Sequence, residues 1–587
     1  MAGQSRKWMI LVATIWIQAF TGTNFDFSAY SSEMKMKLGV PQVQLNYLAT
    51  ASDFGKALGW SSGLALNNLP LWTVMFTAAS MGLVGYGVQW LVINGTVAPP
   101  YFVVLLLCLL AGCSICWFNT VCFVLCVRNF PSNRPLAVSL MVSFNGISAA
   151  LYNLAAKSFS PSSTSVYLLL NALLPLVTSI VALIPILRQP PVVTLPPDAI
   201  KRDKVTFLLL NFLAVITGLY LLFLHPSNMF MACLLFAGAI CLLVLPLCIP
   251  GIIYAREWFN DAIYTSFFLH GFTLVDVEDL ELHKQLLSRE NSSVNCMISS
   301  PDVDGSMNEM PRQNMRTTEG CSCDIIIKKD RLVTLGEEHK AKMLTRRLDF
   351  WLYFVAYFCG GTIGLVYSNN LGQIAQSLGH SSFNSRLITI YSSFSFFGRL
   401  LSAAPDFMRP KASFARTGWL TVAILPTPIA FVLLAVAGSD MMAVQVGTAL
   451  IGFSSGFIFA AAVTITSELF GPNSVGVNHN ILIANIPIGS LVYGFLAAIV
   501  YDMNGTTTTG LLGDPIVCMG KKCYFYTFVW WGCISVPRNS SQFTVVFKNQ
   551  TSLSRVRKEL YITDVELELA ALFYNVKRMI KLKYSTH

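Results

Sequence analysis

Apolar runs of membrane-crossing length follow one another along this chain, and a single long polar stretch interrupts them. A helix needs about 20 apolar residues to cross the hydrocarbon of a bilayer. Such runs lie near 8–30, 44–66, 71–93, 101–127, 135–157, 165–187, 205–224 and 229–254. They resume near 350–368, 384–404, 416–437, 441–466 and 479–501, with a shorter last run at 523–536. The grouping is six, two and six, about 14 spans in all, and the fold class expected is an all-α polytopic membrane protein. The domains expected are an N-terminal six-helix bundle at 1–187, two additional helices at 188–254, a flexible cytoplasmic loop at 255–348, a C-terminal six-helix bundle at 349–536 and an atypical basic tail at 537–587.

Composition supports this. The 587 residues are 54% hydrophobic and 12% charged, where a soluble domain carries about 25% charged residues. The net charge of +10 is spread over short loops and the tail, which argues against a nucleic-acid partner. The fifteen cysteines do not read as a disulfide scaffold, since five of them fall in one apolar run. Cys113-x-x-Cys116 has no histidine or second pair beside it, so no metal site is expected, and no cofactor. The first run is too long for the core of a signal peptide and reads as a first span. Nothing resembles a nucleophile–base arrangement, a phosphate loop or a metal cluster, so no enzyme is expected.

Orientation follows from lysine and arginine in short loops. Arg6, Lys7, Arg128, Arg134, Arg188, Lys201, Arg202, Lys204, Arg409, Lys411 and Arg416 fall on one side if the N-terminus is cytoplasmic. Lys35, Lys37, Lys521 and Lys522 lie on the other. The glycosylation sequons at Asn94 and Asn504 then land on outer loops, and the one at Asn291 in the cytoplasmic loop.

The two halves echo each other. In the second span of each group, Gly55-Lys56 aligns with Gly398-Arg399, and the preceding spans end in Lys37-Leu38-Gly39 and Ser377-Leu378-Gly379. Asp53 and Lys56 sit deep in an apolar stretch, three residues apart, so they share a helix face and can pair. A charge at the bilayer centre costs roughly 2.5–3.5 kcal/mol on insertion scales, and such residues rarely face lipid. Two readings stand side by side: a protonation or substrate site between the halves, or a structural ion pair. Gly55, Gly59 and Gly63 form a stripe that lets another helix approach closely. Asn24 and Asp26 in the first span, and Asn369, Asn370 and Gln373 in the ninth, are further candidates for substrate or coupling contacts, or for interhelical hydrogen bonds. Gly398, Arg399, Asp406 and Arg409 at the cytoplasmic end of the tenth span, with Glu468 at the end of the twelfth, suit a charged gate or a solvated loop end.

The stretches QLNYLATASDFGKALGWSSGLAL, VGYGVQWL, DFWLYFVAYFCGG, NNLGQIAQSLG, ITSELFGPNSVG and NIPIGSLVYGFLAAIVYD resemble the plant nodulin-like, nuclear fusion defective 4-like branch of the major facilitator superfamily. The resemblance covers about 5–254 and 347–536. It implies two six-helix bundles with alternating access, and a small organic anion as substrate class. The chain departs from the superfamily where the loop after the second span is reduced to Asn67-Asn68-Leu69-Pro70, and again at its C-terminus. At about 1.5 Å per residue the last run extends ~21 Å, short of the ~30 Å core. The tail beyond it carries a capping-box pattern at Thr563 and Glu566 and late basic residues that suit a membrane-surface helix, or a variant final exon. Two functions follow: proton-coupled secondary transport of a small solute by a monomer, or a non-transporting receptor or scaffold acting through 255–348. The plasma membrane is the expected location, with vacuolar or other endomembranes as the alternative.

Overall fold

The computed structural model describes residues 3–160, 163–189, 197–269, 338–339, 341–379, 381–408, 416–471, 474–507 and 516–536. The chain divides into two units. The smaller comprises residues 1–2 and 251–331 and is helical over its described part, 251–269. All the elements discussed below belong to the larger unit, 3–250 and 332–587.

Its first half contains α1 (Gly3–Thr21), α2 (Phe27–Leu38), α3 (Gln42–Ala57), α4 (Trp60–Asn68), α5 (Leu71–Ile93), α6 (Tyr101–Asn129), α7 (Arg134–Phe159) and α8 (Val166–Leu187). Then come α9 (Pro197–Phe223), α10 (Met229–Val244) and the start of α11 (Cys248–Leu269). The second half contains α12 (Leu348–Tyr357), α13 (Ile363–Ser377), α14 (Asn384–Leu401), α15 (Arg416–Ile424), α16 (Pro426–Ala437), α17 (Met441–Phe470), α18 (Val475–Ile483), α19 (Asn485–Met503) and α20 (Phe525–Ser535). A π-helical turn, Phe358–Thr362, joins α12 to α13. The only strands among the described residues form a two-residue antiparallel pair, Thr506–Thr507 with Ile516–Val517.

Among the described residues, ten helices are long and apolar enough to cross a membrane. The other runs are helical too, but broken or short. The first is interrupted at residues 22–26, where Gly-Thr-Asn-Phe-Asp supplies poor helix formers and side chains that compete for backbone hydrogen bonds. The second breaks at Leu58-Gly59. The last, α20, has 11 residues; the tail after residue 536 lies outside the described residues. Gly39 (φ 63°) and Gly379 (φ 77°) close α2 and end the α13 segment in the left-handed region, the usual way a helix C-terminus turns.

The echo between halves extends to packing. A Cβ on Gly55 would collide with backbone atoms of Leu109 and Cys113, and one on Gly112 with backbone atoms of Ser52, so α3 and α6 meet backbone to backbone. In the second half Gly398 faces Phe453 and Phe457, and Gly456 faces Ser395, so α14 and α17 meet the same way. Small residues at these crossings let dispersion and polar contacts replace the hydrophobic drive that lipid removes. Gly59 abuts the Cys116 side chain, whereas Gly63 faces open space.

The halves join along two seams. α3 runs beside α19, with Asn46 donating to Gly494 O (2.8 Å) and the ring of Tyr47 stacked on Phe495. α7 runs beside α14, with Ser139 bonded to Arg399 O (3.0 Å), Ser392 to Gly146 O (2.6 Å) and Asn153 to Thr389 Oγ1 (2.7 Å). In the loop after α19, Cys518 and Cys523 form a disulfide. It follows the exposed Asn504 in the same connection.

Two predictions follow from this packing. Gly112→Val and Gly456→Val each force helices apart and lower thermal stability in detergent by about 1–3 kcal/mol, while Gly63→Ala stays within about 0.5 kcal/mol of the parent. Disulfides persist in oxidising compartments, and Asn504 lies in the same connection as this one, so the sequence expectation of a glycan there can be tested together with it. Asn504→Gln therefore removes a glycan seen as a mobility shift, and Cys518 and Cys523 resist thiol labelling until reduced.

Candidate functional site

The seams enclose a central cavity of about 610 Å³. Its wall includes Gln18, Asn24, Phe25, Lys56, Asn119, Asn145, Tyr357, Arg399, Phe459 and His479. A smaller space of about 350 Å³ adjoins it through Asn24 and Lys56 and reaches Tyr30, Asp53, Tyr86, Gln89 and Asn369. A larger one, about 810 Å³, adjoins it through Phe123, Val463 and His479 and leads past Val138 and Thr464 to Arg134 and Glu468. The first two share Asn24 and Lys56, the second and third share Phe123, Val463 and His479, and the third reaches Arg134 and Glu468.

Lys56 and Arg399 stand at equivalent places in the two halves, each one residue past a glycine locked onto a neighbouring helix. Their electrostatic situations differ. Lys56, 6% exposed, is paired with Asp53, 1% exposed, which also accepts a hydrogen bond from Ser490 of α19. This triad ties the first half to the second. Arg399, 3% exposed, donates from Nη1 to Val142 O (3.1 Å) and Asn145 Oδ1 (3.2 Å). Its guanidinium lies over the rings of Phe25 (5.3 Å) and Phe459 (5.5 Å). Its Nε has no hydrogen-bond partner, and no carboxylate pairs with it among the described residues. A buried guanidinium without a counter-charge between two aromatic faces is suited to a planar anionic group.

The other predicted residues separate into groups. Asn24 lines two of the spaces and Asn369 one. Asn370 donates to Val366 O within its own helix, and Gln373 donates to Ser31 Oγ of α2 (3.0 Å), joining the two halves there. Asp26 lines none of the three spaces: it is 0% exposed and bonded to Asn171 of α8. Arg399, read from sequence as part of a gate at the cytoplasmic helix end, instead reaches the central cavity and ties α14 to α7. Glu468 lines the space nearest the cytoplasmic loops. The side chain of Asp406 and the whole of Arg409 lie outside the described residues. Asn94 and Asn504 are exposed.

Sequence reasoning missed Ser490, Asn145, Asn153 and Asn171. Asn171 stands alone among apolar neighbours, which was a usable signal, whereas Asn145 and Asn153 share α7 with Ser139, Ser143 and Ser148 and are less distinct.

Comparison with known proteins defines the class first. A peptide transporter, POT, solved in complex with sulfate superposes with a TM-score of 0.50 at 9% identity, covering 92% of this chain and 93% of that one. At that identity the likeness speaks for the fold: a multi-pass, all-helical membrane protein of the major facilitator type. Residues 7–251 match the nodulin-like family model and residues 333–546 the NFD4 C-terminal domain model. Protein Nuclear Fusion Defective 4 of Arabidopsis thaliana is 54% identical over 563 residues, 95% of this chain and 91% of that protein. The chain therefore belongs to the nodulin-like, nuclear fusion defective 4 family. A probable transporter, MCH1, of Wickerhamomyces anomalus is 28% identical over 219 residues, 35% of this chain and 44% of that one. No enzyme is among these relatives.

The triad generates a stability prediction. Asp53→Ala leaves Lys56 buried without its counter-charge and costs about 3–5 kcal/mol, whereas Asp53→Asn combined with Lys56→Met recovers most of the loss. Ser490→Ala removes one charge-assisted bond, about 1.5–3 kcal/mol. Thermal unfolding in detergent measures all three.

Proposed function

We propose that this chain is a secondary transporter that moves a small organic anion across its membrane by alternating access, coupled to a proton. The observation that supports this most strongly is Arg399: a buried guanidinium in a cavity between two repeated halves, flanked by aromatic faces and lacking a carboxylate partner. The anion binds there. Lys56 is the second cation of the cavity, masked by Asp53. The protein works as a monomer in the plasma membrane or a vacuolar membrane. The printed names of the yeast relative and of the structural neighbour, both transporters, agree with this reading.

The test is thermal unfolding of the purified full chain against panels of organic anions, neutral sugars and amines at two pH values. An anion at 100 times its dissociation constant adds about 2.7 kcal/mol of stability. The shift is expected with anions, is larger at the lower pH, and disappears in Arg399→Gln, whose own unfolding reports that it is folded. A shift confined to neutral or cationic solutes, or an anion shift that persists in Arg399→Gln, overturns the proposal.

A further inference from the structure

Asp26 stands at the break between α1 and α2, outside the cavities, in a setting that carries its own chemistry. It is 0% exposed. Its Oδ1 accepts one hydrogen bond, from Asn171 Nδ2 at 3.1 Å. Its Oδ2 has no partner among the described residues. Asn171 is also 0% exposed, and its Oδ1 is equally unpartnered. Around the same break the hydroxyls of Thr21, Ser28 and Ser148 are buried without partners, and Ser148 packs directly against Gly22.

The titratable groups facing Asp26 come from every element packed on it, and all are neutral at ordinary pH. They are Tyr30 on α2, Tyr86 on α5, Tyr152 on α7 and Tyr167 on α8, with Cys108 of α6 behind the first two. The tyrosines already have work: Tyr86 bonds Thr23 Oγ1, Tyr152 donates to Phe20 O and Tyr167 to Asn153 Oδ1. The ion pairs Lys7–Asp203 and Lys56–Asp53 both lie elsewhere. An ionised carboxylate enclosed in this way costs several kcal/mol; the Asn171 hydrogen bond offsets this only in part, and no cation pairs with the carboxylate among the described residues. One positive charge removes that cost, and one carboxylate among neutral oxygens matches a single charge better than a divalent ion, which gathers several carboxylates.

We infer that Asp26, with Asn171 and the hydroxyls at the helix break, binds one monovalent cation, a proton or a sodium ion, and that this is the coupling-ion site, separate from the anion site. The two sites are neighbours along the chain: Asn24 and Phe25 line the central cavity, Phe25 lies beneath Arg399, and Asp26 turns the other way. The same helix meets the second half through Ser28 O with Asn384 (3.1 Å) and through Ser31 with Gln373. A charge at Asp26 therefore acts on the anion site and on the outer seam through α2. The coupling role rests on the transport reading above; the occupancy does not.

The experiment measures occupancy without any transported solute, on the purified full chain in detergent. In sodium-free buffer at neutral pH, infrared spectroscopy is expected to show a protonated carboxylic-acid carbonyl band that is absent in Asp26→Asn; that outcome names the proton. Replacing choline by sodium at constant ionic strength, with a rise in unfolding temperature that Asp26→Asn abolishes, names sodium. Wild-type protein with neither signal overturns the inference. If Asp26→Asn does not fold, Asn171→Ala serves instead: it removes the side-chain hydrogen bond to the carboxyl and shifts the band or weakens the sodium response, and an unmoved band together with an unchanged response overturns the assignment. Anion binding at Arg399 without either signal sinks this inference alone. Either signal without anion binding leaves it standing and sinks the transport reading.

Discussion

Two backbone-to-backbone crossings, Gly112 on Ser52 and Gly456 on Ser395, decide where the charge in this molecule can go. A helix held that tightly cannot rotate about its axis without a collision, so the next polar side chain along it has a fixed bearing. Lys56 and Arg399 take theirs from Gly55 and Gly398, and both reach the same space between the halves. In lipid there is no hydrophobic drive to press helices together. Close fit of small residues supplies the rigidity, and it is what makes a buried cation tolerable at a defined point.

The two halves use the same scaffold to different ends. Lys56 keeps its counter-charge within one helical turn, at Asp53, and the pair is tied to the opposite half through Ser490. Arg399 has only a carbonyl, an amide and two ring faces. One repeat therefore holds a neutralised charge that doubles as a fastener, and the other holds an unneutralised charge that attracts.

Much of this was legible in the sequence. Apolar runs of the right length fix the helices, and the Gly55-Lys56 and Gly398-Arg399 echo marks the pivotal positions before any coordinates are seen. The placement of Asp26 was not legible, because helical periodicity assumes an unbroken helix and the break at 22–26 turns Asp26 away from its neighbour Phe25. The Ser490 bond was hidden for another reason: its partner lies 437 residues away, and no local pattern encodes a contact of that span. The disulfide between Cys518 and Cys523 was obscured by thirteen other cysteines, ten of which are free among the described residues.

The way the three spaces adjoin has a practical meaning for anyone who wants to block this protein. Beside the smallest of the three spaces the halves are held together by Gln373 on Ser31 and by the bonds of α3 along α19. Toward Arg134 and Glu468 lies the largest and most apolar of the three. A compound shaped to these spaces would pair an apolar body, for the wide one, with a planar acidic head, for a guanidinium that has no carboxylate partner among the described residues.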